Sequence, residues 1–199
     1  MRRAILFALF FAATAASAAT YDIDTDHSSV SFAIKHLVVS KVRGSFDKFR
    51  GTFDYEPGKS DAWKAIAVIQ AASVNTNVKK RDDHLRSADF FDAKKFPTIT
   101  FKSTRITDAS DEGAKMEGTL TIRGVSKPVV LDVEFGGMTT DPWGNKKIGF
   151  SARGKLNRKD FGLTWNKTLE SGGLLVGEDV EIVVDVEGTE KAKAVAKKD

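Results

Sequence analysis

Apolar and polar residues alternate with period two along almost the whole chain. That pattern restricts the fold to short strands with one dry face and one wet face. Val30, Phe32 and Ile34 alternate with Ser29, Ser31, Ala33 and Lys35. Val42, Gly44 and Phe46 fall on even numbers, then Phe49, Gly51, Phe53 and Tyr55 on odd ones. The change of parity predicts a bend near Asp47-Lys48. Further runs include Lys64 to Val74, Thr98 to Lys102, Gly118 to Ile122, Val129 to Phe135, Ile148 to Arg153 and Val180 to Glu187. Eight or nine strands follow, separated by turn signals such as Glu56-Pro57-Gly58, Arg123-Gly124 and Asp141-Pro142-Trp143-Gly144. Regular short strands of this kind build a sandwich or a barrel.

Two stretches interrupt the alternation. Asn75 to Phe96 is rich in charge, and Asn77 is placed to cap a helix through Lys79 to Phe91. Asn157 to Gly177 is irregular and has room for a short helical turn. At the start, Arg2 and Arg3 precede the apolar run Ala4 to Ala13 and the small residues Ala16-Ser17-Ala18. Together these features describe a secretory signal peptide. The expected organisation is a cleaved signal over 1–18, one barrel domain over 19–188, and a flexible Lys/Ala-rich tail over 189–199. Removing two arginines with the signal takes Lys+Arg from 31 to 29 against 27 Asp+Glu, so the exported protein carries about +2. A nucleic-acid partner is not expected at that charge.

No catalytic motif stands out. The chain has no cysteine, which excludes thiolate chemistry and cysteine-ligated metals. No G-x-S-x-G elbow is present. His27, His36 and His84 match no ligand spacing, and His36 is expected to make a structural hydrogen bond. Asp22, Asp24 and Asp26 read as a solvated strand face. Asp82, Asp83 and Asp89 beside Arg81 and Arg86 read as ion pairs and caps on a short helix. Asn166-Lys167-Thr168 fits a glycosylation sequon, a short and common motif. The apolar inventory itself is compatible with a packed core or with a barrel that holds a ligand.

Several blocks together carry a family resemblance. They are Tyr21-Asp22-Ile23-Asp24 with His27-Ser28, then His36-Leu37 through Gly51, and Val74-Asn75-Thr76-Asn77. Arg81-Asp82, His84-Leu85-Arg86-Ser87 and Asp89-Phe90-Phe91-Asp92 form the most distinctive one. Phe96-Pro97, Gly118 to Val125, Gly149-Phe150, Arg158 to Gly162 and Trp165-Asn166 continue it. The chain resembles the YceI-like family from Tyr21 to about Gly188. The resemblance implies an all-β fold: an extended eight-stranded antiparallel lipocalin-like β-barrel with one or two short helices at its side. It also implies a hydrophobic channel, binding of long-chain isoprenoids or related lipids, a homodimer and a periplasmic location. No catalytic residue set, cofactor or metal comes with it.

On that implication the expected function is a periplasmic carrier or store for an isoprenoid or similar lipid, with transient membrane contact for loading. Phe32, Ile34, Phe46, Phe53, Phe101, Leu120, Ile122, Leu131, Val133, Phe150, Trp165 and Ile182 are the candidate lining residues. Each buried methylene contributes about 0.8 kcal/mol, so one isoprene unit brings roughly 3–4 kcal/mol gross. Head-group contacts are therefore unnecessary for affinity. Arg81, Arg86 and Arg158 are candidates to meet an anionic head, against a reading as surface ion pairs. The rival functions are an interaction or stress-response module with a filled barrel, and an enzyme on such a lipid using His36 or Asp160.

Overall fold

The computed structural model describes residues 18–37, 39–170 and 172–192. All but the last residue of the expected signal peptide and most of the tail lie outside them. The strands are β1 (Ala19–His36), β2 (Ser40–Phe46), β3 (Phe49–Tyr55), β4 (Lys64–Gln70) and β5 (Val74–Asn75). They continue with β6 (Thr98–Thr107), β7 (Gly113–Ile122), β8 (Val125–Thr140), β9 (Lys146–Asn157) and β10 (Val176–Glu190). All neighbours are antiparallel, in the order β10-β9-β8-β7-β6-β4-β3-β1, and β10 pairs with β1 to close the ring. β2 and β3 are one strand bent at Asp47-Lys48, as the parity change predicts. β5 prolongs β4 through a 3-10 turn at Ala71–Ser73. Counted this way the barrel has eight strands.

β1 bulges as well. Asp24 pairs with Glu187 and Ser29 with Asp185, so five steps on β1 oppose two on β10. This breaks the uniform solvated face expected for Asp22, Asp24 and Asp26. Asp22 and Asp26 are exposed, but Asp24 is half-buried and held by Lys147. The last strand passes the expected boundary at Gly188: Thr189 pairs with Asp22 and Glu190 with Tyr21.

One α-helix, α1 (Lys79–Arg86), is found among the described residues, and the chain around it differs from the sequence reading. Asn77 does not cap it, because its backbone is left-handed at φ 61° and its own N–H donates to Asn75 Oδ1. A helix cap needs extended backbone there. The helix also stops five residues before Phe91, where Ser87 turns extended and its hydroxyl donates to His84 O. The acidic cluster is likewise divided. Asp83 is ion-paired to Lys79 and Arg86, whereas Asp82 is 6% exposed and makes no ion pair among the described residues. Its Oδ1 accepts the Thr76 N–H at 2.9 Å and the Thr76 hydroxyl at 2.5 Å. Asp82→Ala strands both donors, each at about 1–3 kcal/mol. The variant is expected to lose roughly 2–4 kcal/mol of stability. A urea titration checks this, and a loss below about 0.5 kcal/mol would show that Asp82 is not what ties α1 down.

Candidate functional site

α1, the turns at 87–96 and the 158–175 segment all follow or precede strand ends on one side of the ring. They cover one end of the barrel, where the sequence reading put helices at its side. The other end is closed by aromatic rings: Tyr21 stacks on Phe53, and Phe150 meets Phe53, Tyr55 and Phe135 at centroid distances of 5.4–5.5 Å. Tyr55 also meets Trp63 at 4.8 Å, and the Trp63 indole N–H donates to Glu56 O. Between the two ends lies a cavity of about 640 Å³.

Small side chains keep that space open. Ala65 and Ala67 on β4 and Ala152 on β9 line it. Elsewhere glycine gives larger groups somewhere flat to lie. A Cβ on Gly154 would stand 2.6 Å from Leu131 Cδ2, and one on Gly118 would collide with the Phe101 ring. Leu131 and Phe101 thus rest against the neighbouring strand instead of projecting into the lumen. The cavity reaches the surface beside α1, where exposed Val78 and Lys80 line it. At roughly 30 Å³ for each water-sized group, close to a methylene, it holds about twenty carbons, or four isoprene units.

The YceI-like domain family matches residues 21–188, the span read from the sequence. The chain belongs to the YceI-like family. Protein YceI of Salmonella newport is 40% identical over 188 residues, 94% of this chain and 95% of its own length. The crystal structure of the Campylobacter jejuni YCEI protein is 41% identical with a TM-score of 0.68, covering 79% of this chain and 90% of that one. A polyisoprenoid binding domain from Saccharophagus degradans has a TM-score of 0.61 over 88% of this chain and all of that one. At 15% identity that last likeness speaks for the fold.

In this YceI-like barrel all twelve candidate residues line the cavity: Phe32, Ile34, Phe46, Phe53, Phe101, Leu120, Ile122, Leu131, Val133, Phe150, Trp165 and Ile182. Several are also core, since Phe46, Leu120 and Ile122 pack in one buried cluster and Phe53 in another. The sequence reading missed the contribution of Val78, Leu85, Phe90 and Phe91 from the α1 region, and of Tyr55 and Trp63 at the far end. His36 lines the cavity, and no side-chain hydrogen bond holds its ring among the described residues, contrary to expectation. His84 lines it too, 2.8 Å from Asp89 and edge-on to Trp165 at 4.7 Å. Asp160 is exposed and off the cavity wall. Asn166 of the sequon binds the Val176 backbone at both ends of its side-chain amide: Nδ2 donates to Val176 O and Oδ1 accepts the Val176 N–H.

The three arginines are not simple surface ion pairs. Arg81 binds Thr76 through its hydroxyl and its carbonyl. Arg86 binds Ala72 O and Val74 O besides Asp83. Arg158 is 3% exposed, donates to Leu163 O, Trp165 O and Gly177 O, and lines the cavity. Burial pulls its guanidinium below the ordinary value, with Glu178 opposing.

Asp24, His27 and Glu187 at the β1 bulge bring ligand atoms within 4.8 Å of one another. The Lys147 ammonium already sits among them, 2.8 Å from Asp24 and 3.0 Å from Glu187. The Lys147 hydrogen bond, helped by His27 and the Asp26 N–H, holds Asp24 down at about 2 against an opposing desolvation. A depressed carboxylate stabilises the fold above its unfolded value near 3.9, and that contribution disappears as pH falls through about 2. The thermal midpoint is therefore expected to drop between about pH 4 and pH 2, and Lys147→Met to flatten that slope. A variant with the wild-type slope would remove Asp24 from the account. His27, raised by Asp24, acts in the other direction: its contribution is complete below about 6.5 and is lost as pH rises through the raised value.

Proposed function

We propose that this YceI-like protein is a periplasmic carrier or store for a long-chain isoprenoid or similar amphiphilic lipid, binding it without turnover. The observation that carries the reading is the apolar cavity of about 640 Å³ along the barrel axis. Its wall is built from aliphatic and aromatic side chains, and it opens at one end. A lipid tail gains free energy in proportion to the apolar surface it hides there. An interaction module with a filled barrel would need side chains in the space that Ala65, Ala67 and Ala152 leave empty. Four isoprene units fit inside, so a longer tail extends out past α1. Export, removal of the signal, a homodimer and brief membrane contact during loading complete the reading.

Gentle purification from the native periplasm, solvent extraction and mass spectrometry test it. A stoichiometric isoprenoid is expected. A clean extract, together with no uptake of added prenyl lipids by the folded protein, would overturn the proposal.

A further inference from the structure

Arg158 is the one buried side-chain group left with an unmet hydrogen-bonding atom among the described residues: its Nη2 has no partner. The residue opens the 3-10 turn Arg158–Phe161 just after β9, on the α1 side of the barrel. Nε and Nη1 staple the 163–165 segment to the start of β10 through three carbonyls. That structural role explains three contacts and leaves Nη2 over. Carbonyls satisfy donors but supply no counter-charge. The nearby carboxylate of Glu178 is engaged by Lys159 at 2.5 Å. An arginine stays charged in a protein, and a buried charge without a counter-ion is costly. The other charged groups lining this end, Lys35, Lys80 and Arg81, are cations too.

We infer that Arg158 anchors a head group: Nη2 receives an anionic oxygen, from a carboxylate or a phosphate, of the amphiphile whose tail fills the barrel. The inference rests on the lipid-binding reading and adds the chemical class of the head. Affinity comes from the tail, and selectivity among lipids of equal tail comes from Arg158.

Three probes share a tail of four isoprene units and differ only at the head, which is an alcohol, a carboxylate or a monophosphate. Their dissociation constants are measured on the full mature chain after delipidation. Wild type is expected to favour the two anions over the alcohol about tenfold or more, as a charge-assisted hydrogen bond requires. The tighter of the two anions identifies the head. Arg158→Gln is expected to bring the ratio to about threefold or less, and Arg158→Lys to an intermediate value. Because the tail is constant, the ratio reads the head alone and is insensitive to a partly unfolded fraction. Equal binding of all three by wild type overturns the anchor and leaves tail binding standing. Binding of none overturns the reading of the cavity itself. A full preference surviving in Arg158→Gln assigns the anion to another cation and also overturns the anchor. If neither variant folds, arginine-labelled wild type decides by NMR. The guanidinium signal next to Leu163 and Trp165 is expected to move with the anionic probes and not with the alcohol, and its failure to do so counts against the anchor.

Discussion

The double variant Ala67→Phe/Ala152→Phe is expected to stay folded and to lose most of its isoprenoid uptake. β4 and β9 are four strands apart in an eight-strand ring, so they face each other across the lumen. The register places the two alanines level. From Ala67 one way round, the pairing passes Gly51, extrapolates by one residue to Ile23, and continues through Gly188 to Ile148. The other way it passes Phe101, Leu120 and Lys127 and extrapolates to Arg158. The position opposite Ala67 lies midway, at Ala152–Arg153, and Ala152 is the one that lines the cavity. Two rings there divide the space. Losing room for two isoprene units removes roughly 6–8 kcal/mol of gross transfer free energy. Part of this is offset by the smaller ordering loss of a shorter bound tail, so affinity is expected to fall about a thousandfold. Filling empty space does not overpack, so the thermal midpoint should hold or rise. Undiminished uptake by a variant at least as stable as wild type would show that the tail does not lie in the lumen.

How much of this was legible in the sequence follows from the range of the interactions. Inward positions such as Phe32, Leu131 and Ile182 were readable because parity on a strand is local and sheet faces inherit it. The bend at Asp47-Lys48 was readable for the same reason. The bulge in β1 was not, since residues 25–28 are polar on every side and only the pairing with β10 exposes the mismatch. Asp82 looked like one more charge on a helix. Its burial depends on Thr76 folding back over it, and no spacing rule signals that. Arg158 was legible as one of three candidate cations for an anionic head, but nothing in the sequence set it apart from Arg81 and Arg86. Its three carbonyl partners come from loop and strand-start backbone, which leaves no mark in residue type. Tyr55 was visible on an alternating run and Trp63 fell between runs, so their joint role at the far end exists only once the ring closes. The cavity was likewise out of reach of composition, because it is an arrangement of alanines and glycines that are unremarkable singly.

Phe150→Ala is expected to produce a large stability loss and to change which tail length fits. Phe150 is the hub of the aromatic end, within 6.4 Å of the ring centroids of Phe53, Tyr55, Trp63 and Phe135. Truncating a packed phenylalanine costs about 3–5 kcal/mol, part transfer and part cavity. For a domain of this size that corresponds to a midpoint lower by roughly 6–20 °C. The same truncation removes the six ring carbons from the closed end, a group about the size of one isoprene unit. A tail one isoprene unit longer should then bind better relative to the four-unit tail than it does in wild type. Because ligand binds only the folded state, saturating the variant with the longer tail should also restore part of the lost midpoint, by more than the same tail adds to wild type. Calorimetry with tails of graded length measures both effects. A loss under about 1 kcal/mol would show that the rings do not pack as a plug. An unchanged length preference would place the inner end of the tail short of Phe150, and the boundary of the binding site would then lie at Ala65 and Ala67 rather than at the aromatic end.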